Sequence, residues 1–391
     1  MHPTKSTHSD KLERWLGKEH VDRLTHDFKN FYWPVPVKGV PGNVFVMPGG
    51  DFAGEIQAGS FMSAQDAAGV TLRKLLNKVD KKARHSKALG TLADLIRAED
   101  KRVLSVGAFS SIDAIITAYT SGKGQIMPFS KTGVAASANG NAMDLWSRSG
   151  FPAAGGAGSA APGGVNPTSA TTGALGFSNL GTANTGHYLN WSLTASVINN
   201  SLLLYDRLFA VVKTMNSTTT EAVTGTLTRY NSTTAGASDF SGGNFCFPAN
   251  PTTVLAATAH NWTVCQYTNQ AGTTAKSFAS TAGLSACPVG GIDLVVGSWF
   301  LPLAAGDLGV KALTQMQCSA AVATGTIDFV IAHPIAVNAC PIANMACLDD
   351  GLYTSLNLSY ILDNACLSFI ELPKPAVTAT TYSGFVRAVS E

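Results

Sequence analysis

The chain has 391 residues, of which 13% are charged, and a formal net charge of +2 at pH 7. Its length is sufficient for a substantial core in one large domain or in two to three smaller ones, without help from disulfides. The small net charge argues against a dedicated nucleic-acid-binding protein. A neutral surface that does not repel its own copies is typical of a subunit packed against neighbours in a large assembly.

Most of the charge lies in the first third of the chain. Residues 1–131 contain 19 Lys and Arg and 13 Asp and Glu, whereas the remainder contains 8 and 12. The two parts therefore carry net charges of +6 and −4. This asymmetry suits a subunit whose basic part faces a polyanion and whose neutral part faces its neighbours.

Residues 1–36 are predicted to form an N-terminal arm. Apolar residues recur at three- and four-residue spacing over residues 9–31, which predicts an amphipathic helix, and Pro34 and Pro36 then force an extended path. The alternative is a helix that folds onto its own domain. Because the first residues lead into a charged segment, we predict no signal peptide. The aromatic side chains expected to contact a neighbouring subunit are Trp15, Phe31, Tyr32 and Trp33.

Residues 37–60 are predicted to form an extended hairpin loop. Two short apolar segments, Val44–Met47 and Phe52–Ile56, flank the Gly-rich turn Pro48–Asp51, which is typical of a β-hairpin. We expect Phe45 and Phe52 to contact adjacent subunits.

Residues 61–130 are predicted to be helical, with a long helix over residues 63–87. Ser63 is a candidate N-cap, and Leu72, Leu75, Leu76 and Val79 share one face. The positive side chains of this segment suit contact with the phosphate backbone of packaged double-stranded DNA without sequence readout. The alternative is a solvated helix face. These basic residues are Arg73, Lys74, Lys78, Lys81, Lys82, Arg84 and Lys87.

Residues 131–198 form a region rich in Gly, Ala and Ser, which predicts irregular structure. Trp146, Phe151 and Phe177 interrupt its low-complexity composition, so we expect a loop laid over a surface rather than a free linker.

Residues 199–391 are predicted to form a helix followed by a β-rich domain. The spacing of Leu202, Tyr205, Phe209 and Val212 predicts a helix of about four turns. Later segments alternate or carry β-branched and aromatic residues between turn residues, and together they predict an α+β class. The predicted strands are Thr226–Tyr230, Asn244–Phe247, Asn261–Tyr267, Thr326–Ile331, Leu367–Glu371 and Tyr382–Val386.

Motifs for catalysis and for metal or cofactor binding do not occur in the sequence. It contains no hydrolase GxSxG, no phosphate loop and no CxxC pair, and its seven cysteines are interpreted as small buried hydrophobic residues. His187, His260 and His333 are scattered. The acids Glu221, Asp293, Asp307 and Asp328 show no spacing that pairs them as catalytic carboxylates. We therefore predict a protein that is not an enzyme, without catalytic residues, cofactor or metal.

Several segments resemble structural proteins encoded by tailed bacteriophages, and the likeness spans roughly the last two-thirds of the chain. The resembling segments are Leu203–Phe209, Lys213–Thr218, Glu221–Gly225, Ala256–Tyr267, His333–Ala336 and Cys340–Asn344. The order of arm, hairpin, long helix and mixed body also resembles the HK97-type major capsid subunit. That layout implies an extended loop at residues 44–57, a spine helix at residues 63–87 and a β-rich body. The alternative is a helical N-terminal region followed by a C-terminal β-sandwich or jelly roll, as in capsid-decorating proteins.

The leading interpretation is a structural subunit of a tailed-bacteriophage virion, the major capsid protein that forms the icosahedral head shell around packaged DNA. Its expected partners are copies of itself in a capsid lattice, other head proteins and DNA, but no membrane, since no apolar run is long enough to span one. The expected location is the virion, assembled in the bacterial cytoplasm. The alternatives are a decoration or minor head protein, and a host-glycan-binding module with Trp262, Tyr267 and Trp299 as stacking platforms.

Overall fold

The computed structural model describes residues 34–36, 43–47, 62–63, 109, 112–134, 140–178, 185–279, 281–323, 326–351, 359–373 and 379–390. The chain divides into two compact units, Met1–Asp100 and Lys101–Glu391. In the first unit, β1 (Pro34–Pro36) pairs antiparallel with β2 (Asn43–Met47), and β2 pairs in parallel with β3 (Met62–Ser63). The strand predicted at Val44–Met47 is therefore confirmed in β2. The predicted helix at 9–31, the second hairpin strand at 52–56 and most of the predicted spine helix at 63–87 lie outside the described residues.

The second unit is built mainly from β-strands. Of the described residues, 43% lie in strands and 6% in helices. The α-helix α1 spans Ile112–Ala118 and continues into a π-helical turn at Tyr119–Lys123, and a 3₁₀ turn spans Leu145–Ser147. The α+β class with an HK97-like layout and a long spine helix is thus wrong, because the described chain is β-rich and α1 has only seven residues.

Three antiparallel sheets make up the second unit. The six-stranded sheet contains, in order, β16 (Cys347–Asp350), β7 (Thr185–Ala195), β19 (Thr381–Ser390), β4 (Gly124–Thr132) and β6 (Gly150–Phe151), with β17 (Tyr360–Leu362) also paired to β7. The central sheet contains β10 (Phe245–Ala249), β15 (Ile327–Cys340), β8 (Asn200–Lys213), β18 (Leu367–Glu371) and β5 (Met143–Asp144). The third sheet contains β12 (Lys276–Ser277), β11 (Asn261–Asn269), β14 (Val310–Cys318) and β9 (Glu221–Ala222), with β13 (Thr281–Ala282) paired to β11.

Strand β8 is buried on both faces. Leu202 and Leu204 pack in one core with Trp191 and other residues of the six-stranded sheet. Leu203 and Phe209 pack in a second core with residues of the third sheet. The helix predicted from the spacing of Leu202, Tyr205, Phe209 and Val212 is therefore wrong. A strand covered on both faces reads as a continuous apolar run, and such a run contains helix-like spacings by necessity.

Five of the six predicted late strands are present, in β10, β11, β15, β18 and β19. The sixth, Thr226–Tyr230, is irregular in the structure. Val223, Leu227 and Tyr230 are nevertheless buried in the core that joins the central and third sheets. The apolar residues of this segment therefore recur because a loop buries them in the core, and not because the segment pairs in a sheet.

The Gly-rich segment at residues 155–165 lies along the edge of β8 that β18 leaves open. Strand β18 pairs with β8 only as far as Asp206. Beyond it, Val165 and Ala210 exchange two backbone hydrogen bonds of 2.9 Å, and the Val212 amide donates to the Ser159 carbonyl. Gly164 has φ +56°, and a Cβ there would lie 2.3 Å from the Phe209 ring, so this approach requires glycine.

Two adjacent residues of β8, Asp206 and Arg207, each form a buried ion pair. Arg207 lies 2.8 Å from Asp144 and 3.2 Å from Asp328, and all three side chains are at most 3% exposed. Asp206 accepts two hydrogen bonds from Arg229, at 2.9 and 2.8 Å. The Tyr205 hydroxyl donates to Asp144 at 2.6 Å, and the Gly158 amide donates to Asp328 at 2.9 Å. These bonds join the central sheet to the loops that flank it.

We expect the substitution Arg207→Met to lower the free energy of unfolding by about 3–5 kcal/mol, because it leaves the carboxylates of Asp144 and Asp328 buried without their cation. Guanidinium chloride unfolding measures this change. The matched control is Lys276→Met. Lys276 is 34% exposed and lies 3.7 Å from Asp307. Its loss should cost about 1 kcal/mol or less. Equal effects of the two substitutions would contradict a structural role for the buried network.

Candidate assembly surface

The sequence-predicted contact residues fall almost entirely outside the described residues. These are the aromatic residues Trp15, Phe31, Tyr32, Trp33 and Phe52 and the basic residues Arg73, Lys74, Lys78, Lys81, Lys82, Arg84 and Lys87. Phe45 lies in β2. Subunit contact and DNA contact at these positions stay predictions, and the candidate site described below comes from other residues.

Two turns lie side by side at one end of the second unit. Residues 196–199 connect β7 to β8, and residues 341–346 connect β15 to β16. Each turn carries the chain between the six-stranded sheet and the central sheet. The Asn344 amide donates a 2.7 Å hydrogen bond to the Ala195 carbonyl, and Cys340 lies opposite Asn200. Asn199 and Asn344 both have positive φ, 55° and 57°, a conformation that asparagine tolerates better than most residues.

These two turns expose large apolar side chains. Ile198 is 51% exposed, Ile342 and Met345 are each 54% exposed, and Leu348 at the start of β16 is 64% exposed. We call these four residues the apolar turn surface. Neither residues 196–199 nor residues 341–346 include a charged side chain. Single exposed apolar residues are normal, but a group of them on two adjoining turns is typical of an interaction site.

The outer surface carries even less charge than the sequence implies. The chain after residue 131 has 20 charged residues. Eight of them are buried: Asp144, Asp206, Arg207, Lys213, Arg229, Asp293, Asp328 and Glu371. Since these charges are inside, the surface of the second unit depends on neutral polar and apolar groups for its contacts.

Two of the three aromatic residues considered as sugar platforms are in the core. Trp262 is buried, and its indole nitrogen donates to Asp293 at 2.9 Å. Tyr267 is also buried, and its hydroxyl donates to Asp307 at 2.7 Å. Trp299 packs against the same core and meets the Phe245 ring edge-on. The faces of Trp262 and Tyr267 therefore cannot stack on a sugar.

His260 and Asp293, which the sequence analysis left unpaired, form a buried pair. The Nε2 atom of His260 lies 3.0 Å from Asp293 Oδ2, and its Nδ1 atom lies 2.8 Å from the Thr258 carbonyl. Asp293 also accepts hydrogen bonds from Trp262 and from the Leu284 amide. Both ring nitrogens face acceptors, so the imidazolium form suits the site and neither nitrogen is left to exchange a proton with a substrate. Burial opposes this charge, but the hydrogen bond and the negative charge of Asp293 outweigh it and raise the pKa of His260.

His333 is held in the opposite charge state. Its ring stacks on Tyr230 at a centroid distance of 3.8 Å, and its Nδ1 atom lies 2.8 Å from the side-chain oxygen of Asn244. Burial lowers the pKa of His333 to about 4. The neutral imidazole therefore fits this site, with Nδ1 as the donor.

No group of three or more His, Cys, Asp or Glu side chains is placed to hold a metal ion in the described part of the chain. Within the same residues, no helix has the length and hydropathy that crossing a membrane requires. No protein-family model, curated protein or solved structure matches this chain.

The two histidines predict opposite pH dependences of stability. The His260 pair contributes fully below the unfolded histidine pKa of about 6.5, and this contribution is lost as the pH rises through the higher folded pKa. We expect the unfolding free energy to fall with increasing pH above neutrality, and the substitution His260→Gln to flatten this limb. Denaturant titrations at a series of pH values measure the effect.

The matched variant is His333→Gln. The contribution of neutral His333 is present above pH 6.5 and is lost as the pH falls towards about 4, so this substitution should flatten the acid limb only. An alkaline limb that is unchanged in His260→Gln would contradict an imidazolium in the His260 site.

Proposed function

We propose that this chain is a structural subunit of a tailed-bacteriophage virion that assembles with copies of itself and with other head proteins. The observation that carries the proposal is the apolar turn surface, exposed on a unit with few charged residues, of which Asp206, Arg207 and others are buried. The sequence resemblance to tailed-phage structural proteins supports the same role. The function is one of assembly, and it needs no catalytic group.

The apolar turn surface provides a favourable free energy for association. Each of its four side chains is about half exposed or more, so covering one is worth about 1 kcal/mol, from roughly 25 cal/mol per Å² of apolar area. The residues of the two turns carry no charge that would have to be desolvated on contact, and the nearest charges in sequence are Asp349 and Asp350, next to Leu348. A contact of this size is weak alone, and a closed lattice adds many such contacts.

The surface is also anchored on long paired strands. The turns lie at the ends of β8 and β15, which have 14 residues each and pair along nearly their whole length. Strand β8 is buried on both faces, and its central charges are compensated by ion pairs. A surface held in one arrangement loses less entropy when it binds.

Two positions in the virion fit this chemistry, and they differ in abundance. The major capsid protein should be the dominant band of a purified virion, with its basic residues facing packaged DNA. The β-rich second unit favours the other position, a decoration or minor head protein bound to a shell made by another protein.

Deletion of residues 1–36 distinguishes the two positions. It should abolish the assembly of a shell subunit, but should leave a decoration protein folded and unable to dock.

We expect the substitution Ile342→Asp to weaken self-association at least about tenfold, which corresponds to roughly 1.4 kcal/mol, because it places a charge in the covered apolar surface. Sedimentation velocity and light scattering over a concentration series measure the association. The matched control is Val254→Asp, since Val254 is 52% exposed but lies in a different loop. A wild-type chain that stays monomeric at high concentration, or equal loss in both variants, would contradict the proposal.

A further inference from the structure

Two cysteines flank the turn of residues 341–346. Cys340 is the last residue of β15, and Cys347 is the first residue of β16. The Sγ atom of Cys340 lies 3.2 Å from the Leu193 carbonyl oxygen. Leu193 on β7 is also the residue directly opposite Cys347. The two cysteines therefore approach the same point on β7, one from each end of the turn.

Further contacts hold the two cysteines in this position. The Asn338 side chain donates hydrogen bonds to the Trp191 carbonyl at 2.8 Å and to the Cys347 carbonyl at 3.2 Å. The Sγ atom of Cys347 donates to the Met345 carbonyl within the turn, at 3.9 Å. Both cysteines are reduced in the structure. A bond between them would close a loop of eight residues, Cys340 to Cys347.

The two thiols differ in access to solvent. Cys347 is partly exposed, whereas the other six cysteines are buried: Cys246, Cys265, Cys287, Cys318, Cys340 and Cys366. Burial, together with the neighbouring Cys347, raises the pKa of the Cys340 thiol to about 12, so Cys340 is protonated at neutral pH. An external oxidant therefore meets Cys347 first, and Cys340 reacts second.

We propose that Cys340 and Cys347 are a disulfide-forming pair that a low-molecular-weight disulfide such as oxidised glutathione converts to an intramolecular bond. The Cys347 thiolate attacks one sulfur of glutathione disulfide and releases one glutathione thiol. Cys340 then gives its proton to solvent, and its sulfur attacks Cys347 Sγ and displaces the second glutathione. Two protein thiols are oxidised, one S–S bond forms, and the external disulfide is reduced to two thiols.

The bond would covalently close the turn that carries part of the apolar turn surface. The consequence for assembly rests on the proposed function. Ile342 and Met345 lie inside the loop that the bond closes. The bacterial cytoplasm keeps thiols reduced, whereas the medium outside the cell favours disulfides. The turn would thus assemble in its reduced form and become covalently closed after the particle leaves the cell.

Met345 lies between the two cysteines, and this position allows a direct test. The purified full-length chain is incubated with oxidised glutathione, its remaining thiols are alkylated under denaturing conditions, and cyanogen bromide cleaves after Met316 and Met345. We expect mass spectrometry without reductant to find fragments 317–345 and 346–391 joined, and reductant to separate them. Cys347→Ser should abolish the joined species.

Two control variants identify the cysteines involved. Fragment 317–345 also contains Cys318, and fragment 346–391 also contains Cys366. Cys318→Ala and Cys366→Ala should therefore keep the joined species. Three results would overturn the proposal. Cys347 would be found only as a mixed disulfide with glutathione, or joined to Cys347 of another chain, or fully alkylated. The fragments come from the isolated chain, so such a result would not change the effect of Ile342→Asp on self-association.

Discussion

Asp206 and Arg207 lie in the middle of β8, a strand that is covered on both faces, and their charges are compensated by Arg229 on one side and by Asp144 and Asp328 on the other. Leaving one of these charges unpaired in such an environment is costly. The network is satisfied only in an arrangement that brings Asp206 to Arg229 and Arg207 to Asp144 and Asp328. The position of β8 beside β5 and β15, and that of the loop with Arg229, follow from this requirement, whereas the apolar cores on the two faces of β8 hold the three sheets together.

The Gly-rich composition and the low charge follow from the same architecture. Backbone segments approach the central sheet so closely that side chains are excluded, as at Gly164 and Gly225, where a Cβ would lie 2.3 and 2.2 Å from the Phe209 ring. A loop can then complete the open edge of β8 by backbone hydrogen bonds alone. Eight of the 20 charged residues after residue 131 are used inside the fold, so few remain to keep copies apart.

The two turns at one end of β8 and β15 are the part of the second unit that we propose to contact other subunits. The chain changes sheets there, so the turns are anchored by two sheets at once and still expose Ile198, Ile342 and Met345. The proposed association and the proposed disulfide concern the same turn but depend on different atoms. One depends on apolar area, and the other on the sulfurs of Cys340 and Cys347. The two proposals can therefore fail independently.

The sequence alone determined the features that are local in the chain. Alternating β-branched and aromatic residues between turn residues predicted β10, β11, β15, β18 and β19, and the residue types themselves established the charge-poor composition. Only the tertiary structure decided that Leu202–Val212 is a strand, because burial on both faces removes the alternation by which strands are recognised. It also decided the pairs His260–Asp293 and Arg207–Asp144, which are 33 and 63 residues apart. The adjacency of the two turns, through the Asn344–Ala195 hydrogen bond, arises in the same way. Such contacts leave no local pattern, since their energy depends on groups that only folding brings together.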